Sequence, residues 1–311
     1  MPKVSVIIPT YNLSGMVMDT INSALEQTEQ DLEVIVVDDG STDETRVVVK
    51  GIRDSRVKYF YKNNGGTSSA RNYGLSKGQG RYIAFLDHDD LWPVDFLKVM
   101  ISHMEKNKKF GLAYSPITIM YPDGSQMKSY KATKGKSGKI TVDLFKKGFI
   151  WTSATVIRSS VLKNFYYDES LRRSYEDGDY FLRLSTRTLF LFVPEVEAIR
   201  RGHTENLSVE VGIEPTRILV LERFYFSLGG DRIVPPQIAK RKISHACRKV
   251  AKARHNESKR SAAITLYKRA IRYWPTDLRL YLGLLQALCL SKKNDPEPGW
   301  QMPKSLPEIG V

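Results

Sequence analysis

In its first half the chain alternates short β-branched runs with stretches whose apolar residues return every three or four positions. Residues 4–8 form the first such run, closed by the turn cluster Pro9-Thr10-Tyr11-Asn12. Over 13–27 the apolar positions Met16, Val17, Ile21, Ala24 and Leu25 have helical spacing. A second strand is expected at 33–37. Ser41, Thr42, Asp43 and Glu44 then give a helix-start signal, and the helix continues through 47–52. A third strand at 57–61, a helix at 68–75 and a fourth strand at 82–86 complete the rhythm. Strand and helix in this order predict parallel βαβ units in one sheet, with ligands bound beyond the carboxyl ends of the strands.

The polar residues gather at those ends. After the fourth strand, Asp87, His88, Asp89 and Asp90 bring three carboxylates and an imidazole into four positions. Neighbouring acids repel unless a cation or hydrogen bonds offset the repulsion. Two readings follow: a divalent cation held by one or two carboxylates together with substrate phosphates, or an acidic turn in which Asp89 or Asp90 caps the helix after Pro93. Asp38 and Asp39 after the second strand admit the same pair of readings. Taken together, Thr10-Tyr11, Asp38-Asp39 and Asp87-His88-Asp89 would line one cleft suited to a base, a ribose and a metal-bound diphosphate.

The pattern loosens further on. A strand at 110–115 ends at Pro116, and Asp123-Gly124 signals a hairpin. Lysines 128, 131, 134, 136, 139, 146 and 147, interspersed with Gly and Ser, predict a mobile basic loop over 128–147. Such a loop is either solvated or a guide for a phosphate-bearing acceptor or anionic lipid. Strand-like runs follow at 151–157 and 189–193. Between them Glu176 and Asp177 open a helix whose apolar side holds Phe181, Leu182 and Leu184. First-turn acids suit the helix dipole. They also suit a reaction in which a base must deprotonate a hydroxyl.

After 212 the strand signals stop. Pro235-Pro236 reads as a joint, and 240–260 is strongly basic, with Glu257 its single acid. Residues from about 294 onward, with four prolines, read as a loose terminus. The 311 residues can hold one large domain and a smaller one, expected at 1–212 and 213–311. A hydrophobic content of 41% and a charged content of 26% exclude a disordered or membrane-spanning class. The net charge of +14 favours anionic partners. Nucleic acid is not expected among them, because no RNP-type or zinc-finger pattern accompanies the charge. A strand-like start at Lys3 leads us to expect no secretory leader, and two cysteines suit a reducing cytoplasm.

Four segments carry a family resemblance. Residues 5–12 (SVIIPTYN), 36–43 (VVDDGSTD), 66–75 (GTSSARNYGL) and 85–90 (FLDHDD) resemble, in this order, the family-2 glycosyltransferases of GT-A fold. The resemblance covers about residues 3 to 210. It implies an α/β GT-A nucleotide-diphospho-sugar transferase fold: a mixed, mostly parallel central sheet flanked by helices. The remainder would be a C-terminal all-α extension. Within that extension, 244–277 resembles one 34-residue tetratricopeptide unit, although Cys247 stands where an aromatic is usual.

The resemblance also implies roles. Pro9, Thr10 and Tyr11 would line the base pocket, with Tyr11 stacking on the ring. Asp39 would bond the base, as expected for uridine, with Asp38 supporting its loop. Arg71 would lie near the nucleotide and Asp87 against the ribose. His88 falls on the nucleotide side, at the variable position of its motif, with no separate role. Asp89, joined by His203, would hold Mn²⁺ or Mg²⁺, and Arg200 or Arg201 would neutralise the departing diphosphate. Asp177 would be the base, with Glu176 beside it in support or on the acceptor.

The implied activity is inverting transfer from a nucleotide-diphosphate sugar, UDP-sugars favoured, to a saccharide or lipid-linked acceptor in surface polysaccharide or glycolipid synthesis. The implied place is cytoplasmic, at the inner face of the plasma membrane, with Lys/Arg-rich segments on anionic lipid. A nucleotidyltransferase is the alternative enzyme, but 9–15 lacks the lysine-rich phosphate loop it needs. A non-catalytic scaffold is the alternative from another class, and retention of Asp38, Asp39, Asp87, Asp89 and Asp177 speaks against it.

Overall fold

The computed structural model describes residues 1–128, 135–171, 175–202, 215–291 and 295–302. These fall into two compact units. Those within Met1–Ile140 and Phe149–Asn206 form the first, and those within Thr141–Gly148 and Leu207–Gly310 the second. The expected boundary at 212 lies outside the described residues.

The first unit is built as strand and helix in alternation: β1 (Val4–Thr10), α1 (Ser14–Leu25), β2 (Leu32–Asp38), α2 (Thr45–Lys50), β3 (Val57–Tyr61), α3 (Thr67–Lys77) and β4 (Tyr82–Phe85). Then come β5 (Asp90–Leu91), α4 (Phe96–Lys106), β6 (Phe110–Tyr114), β7 (Ile117–Met120) and β8 (Gln126–Lys128). The main sheet has the order β10-β6-β9-β4-β1-β2-β3, its later members being β9 (Thr155–Arg158) and β10 (Leu189–Phe192). β1 to β4 pair in parallel, while β9 runs antiparallel between β4 and β6, so the sheet is mixed and mostly parallel as expected.

Side-chain alternation divides the core. Val4, Val6 and Ile8 of β1 join Val17, Ile21, Phe96, Leu97 and Met100 from α1 and α4 in one buried cluster. On the opposite face α3 lies so close to β1 that a Cβ on Gly74 would stand 2.4 Å from Ile7. With both faces covered, the strands are near-continuous apolar runs.

Strand registers bring the polar ends together. Thr10 is the partner of Asp38, and Asp38 of Tyr61. Because β1 is flanked by β2 on one side and β4 on the other, the crevice beyond its carboxyl end opens where strand order reverses.

A second sheet, β5-β11-β7-β8 with β11 (Ala198–Arg201), was not foreseen. The hairpin expected at Asp123-Gly124 is there, joining β7 to β8. The run expected as a strand over 151–157 opens instead as a 3₁₀ turn (Thr152–Ala154) before β9.

The second unit is helical where described: α5 (Thr141–Lys146), α7 (Thr216–Ser227), α8 (Pro236–Asn256), α9 (Arg260–Tyr273) and α10 (Leu278–Cys289), α6 (Glu176–Arg187) belonging to the first unit. The expected basic loop over 128–147 therefore needs correction at its end. α5 forms there because Thr141, Leu144 and Phe145 find burial, which outweighs the surrounding lysines. Residues 129–134 of that segment lie outside the described residues. The helix that opens the tetratricopeptide-like unit extends back to Pro236, which stands at its first position, where a missing N–H costs no helical bond. Among the described residues no helix is long and apolar enough to cross a membrane.

Candidate active site

Three loops at the strand ends are stitched together by short polar side chains. Asn12 accepts from the Thr42 amide at 2.8 Å and donates its own amide to Ser41, while Ser14 donates to Asp43 at 2.9 Å. Gly40 is required here. Its φ is +87°, and a Cβ would stand 2.9 Å from the Asn64 amide nitrogen. Pro9 is buried within β1 opposite Val37, and Thr10 is also buried. Tyr11 is 46% exposed, so its ring is accessible for stacking.

The two acids after β2 divide their work. Asp38 is fully buried, accepting from the Ser41 amide at 2.8 Å and the Tyr59 hydroxyl at 2.6 Å. The Asp39 carboxylate holds the loop before α3, accepting from Lys62 Nζ (2.7 Å) and the amides of Gly65 (3.0 Å) and Gly66 (2.7 Å). A carboxylate has about four acceptor positions, so a further donor can join this set.

The segment after β4 is a turn closed by the Asp90 amide on the Asp87 carbonyl at 2.9 Å. Ser153 latches it: its hydroxyl accepts from the Asp87 amide at 3.1 Å and bonds Asp90 Oδ2 at 2.5 Å, and its carbonyl accepts from Trp92 Nε1 at 2.6 Å. Asp90 is therefore no helix cap. It lies in β5, buried, and burial first, then Asp89 and Asp87, hold its carboxyl well above the usual range. His88 turns toward β1, where Nδ1 accepts from the Tyr11 amide at 3.2 Å and lies 3.1 Å from the Thr10 hydroxyl. A neutral ring then carries its proton on Nε2.

Arg71 joins this turn to the start of α6 (Glu176–Arg187). Its guanidinium is buried, donating through Nη2 to Asp87 and through Nη1 to Asp177, both at 2.7 Å. It lies 5.0 Å above the Tyr167 ring, which stacks on Tyr180 at 3.8 Å. Burial opposes the charge on Arg71, but Asp177 and Asp87 prevail and hold its pKa well above the ordinary value.

Asp177 and Glu176 stand at the α6 N-terminus behind Tyr175, whose φ of +66° is a left-handed conformation unusual for a bulky residue. Burial raises Asp177, Arg71 opposes the rise, and Asp87 adds to it. Burial, then Asp177, push Glu176 up to about 7. A carboxylate with a raised pKa at a polar cleft is what a general base requires.

The paired arginines of β11 separate. Arg200 lies 4.8 Å above Trp151. Arg201, expected as an alternative to Arg200 at the diphosphate, is turned inward and bonds the backbone of the turn. His203 lies outside the described residues. Among the described residues no three His, Cys, Asp or Glu side chains gather as a metal cage. Asp87 and Asp89 nevertheless offer hard oxygen donors on one turn while Asp90 is buried against Ser153. This fits a cation that takes one or two carboxylates and leaves its other positions to phosphates and water.

The model of the family described as "Glycosyl transferase family 2" matches residues 5–165. The chain belongs to this family. An uncharacterized glycosyltransferase of Rickettsia bellii is 35% identical over 192 residues, 60% of this chain and 27% of that relative, so the chain spans about a quarter of its length. The UDP-Glc:alpha-D-GlcNAc-diphosphoundecaprenol beta-1,3-glucosyltransferase WfaP of Escherichia coli is 44% identical over 112 residues, 35% of this chain and 44% of the relative. Among solved structures, S. aureus TarS 1–349 in complex with UDP-GlcNAc shares the fold. Its TM-score is 0.67 and its identity 18%, covering 92% of this chain and 88% of that one. The family-2 chain thus has a GT-A-like fold with its acidic loops at the strand ends.

Proposed function

We propose that this family-2 chain is an inverting glycosyltransferase that moves a sugar from a UDP-sugar to a hydroxyl of a saccharide or lipid-linked acceptor. One observation carries the reading. A single buried arginine joins Asp87, on the turn that would meet the donor's ribose, to Asp177, a carboxylate with a raised pKa. Donor end and base are thereby fixed in one frame.

Tyr11 would stack on the uracil and Asp39 would bond it. Asp87 would face the ribose and Asp89 would hold Mn²⁺ or Mg²⁺, with His203 as a further ligand. When bound, such a cation stabilises the charge growing on the leaving diphosphate. The acceptor oxygen attacks the anomeric carbon from the face opposite the nucleotide, and the bond to the diphosphate oxygen breaks. The hydroxyl proton passes to Asp177. Arg200, on Trp151, would approach the diphosphate. Support for UDP comes from WfaP, which uses UDP-Glc, and from the UDP-GlcNAc complex of TarS, and the diphosphoundecaprenol acceptor of WfaP supports a lipid-diphosphate acceptor.

The second unit supports attachment to an anionic membrane surface. α10 exposes Leu278, Tyr281, Leu282, Leu285 and Leu288 along one stripe. Leu282 and Leu285 share a groove with Arg248, Lys252 and His255 of α8. Apolar side chains beside cations are what interfacial helices present to acidic lipids. Incubation with a panel of UDP-sugars and lipid-linked saccharides, with the product's anomeric configuration read by NMR, tests the function. Inversion supports it, and retention or nucleotidyl transfer refutes it.

A further inference from the structure

The turn that carries Asp89 is gripped through its backbone by two side chains remote in sequence. Thr20, fully buried on α1, directs its hydroxyl at the carbonyls of His88 (2.8 Å) and Asp90 (3.0 Å). Arg201 on β11 donates from Nε to the carbonyl between them, that of Asp89, at 2.7 Å. The single Thr20 hydroxyl proton, shared between two carbonyls, and Arg201 Nε thus reach three successive carbonyls. The clamp is itself anchored. Arg201 Nη1 bonds Asp19 at 2.9 Å, and Nη2 bonds the Met16 carbonyl at 2.9 Å and the Thr20 hydroxyl at 3.1 Å. With four contacts and a side chain only 10% exposed, Arg201 has little freedom to leave this position for a ligand.

The closing backbone bond and the Ser153 latch hold Asp87 and Asp90, and the peptide planes beside Asp89, between those holds, can rotate. Each rotation moves the side chain next to it. Drawing the carbonyls of His88, Asp89 and Asp90 to one side fixes those planes and therefore the direction of the Asp89 Cα–Cβ bond. Ligand orientation of this kind commonly governs metal affinity by about 10- to 100-fold.

We propose that Arg201, with Thr20, is the positioning pair that presents Asp89 to the divalent cation, an inference that rests on the metal reading above. The contacts of both side chains are with the turn backbone and α1, so their loss should separate metal-assisted binding from binding of the nucleoside itself.

The test is calorimetric titration of UDP into the full chain, once with Mn²⁺ and once with EDTA, for the wild type and for Arg201→Lys, Thr20→Val and Thr20→Ser. Arg201→Lys keeps the charge but not the fork. It is expected to lose about tenfold or more of the affinity gained from Mn²⁺ while binding in EDTA stays within about twofold. Thr20→Val should lose part of the gain, and Thr20→Ser, which restores the hydroxyl, should keep it. Thr20→Val carries the test should Arg201→Lys not fold. A full Mn²⁺ gain in folded variants overturns the proposal, as does an equal loss with and without metal. A wild type that gains nothing from Mn²⁺ overturns the metal reading first and this inference with it, a pattern distinct from failure of the clamp alone.

Discussion

Arg71 and Asp177, separated by 106 positions in the chain, meet at 2.7 Å through Nη1 and Oδ1. The same guanidinium reaches Asp87, and no other basic side chain bonds either carboxylate among the described hydrogen bonds and ion pairs. Removing it would leave two partly exposed acids facing each other with no cation between them.

Arg71→Met is accordingly expected to cost about 3 kcal/mol of stability in denaturant titration, near the low end for a broken buried pair. The low end applies because Asp87 and Asp177 are 30% and 35% exposed. Arg71 also opposes the rise in the Asp177 pKa, so in the variant the acidic limb of turnover should move to higher pH. An unmoved limb would show that Asp177 does not titrate in the reaction.

Glu176 gives stability a pH dependence of definite sign. Its folded pKa, about 7, lies above the ordinary 4.5, so the folded chain binds its proton more tightly than the unfolded chain does. This contribution favours folding at low pH and is lost as pH rises from about 4.5 through 7. Glu176→Gln should flatten that part of the stability profile, measured by urea midpoints. An unchanged slope would contradict the assigned shift.

The apolar stripe on α10 makes a further expectation accessible. Leu282→Glu with Leu285→Glu should abolish co-sedimentation with vesicles rich in anionic lipid, leaving UDP affinity within about twofold. Retained sedimentation would move the membrane surface elsewhere or remove it.

Much of the first unit was legible because local signals agreed with tertiary context. Residues 33–37 and 57–61 are β-branched or aromatic runs bounded by turn residues, and they became β2 and β3. The acids after β2 and β4 were legible for the same reason, since a strand end in a parallel sheet is a known place for ligands. Asp90 was misread because β5 spans two residues, too short for any periodicity, and its burial depends on pairing with β11. Ser153 gave no signal at all, being one serine in an apolar stretch.

Arg201 could have been separated from Arg200 by strand alternation, because neighbours in β11 face opposite ways. Thr20 could not, since its partners are backbone carbonyls set by tertiary packing. The α5 helix was masked by the lysines around it, which report solvent on one face and say little about the other.

The most direct measurement is steady-state turnover of a UDP-sugar by Asp177→Asn beside calorimetric titration of UDP with the same protein. The expected result is a fall in kcat of about 10²- to 10⁴-fold with UDP affinity within about threefold of wild type. Retained turnover, or loss of UDP binding in a folded variant, would contradict the assignment of Asp177 as the base.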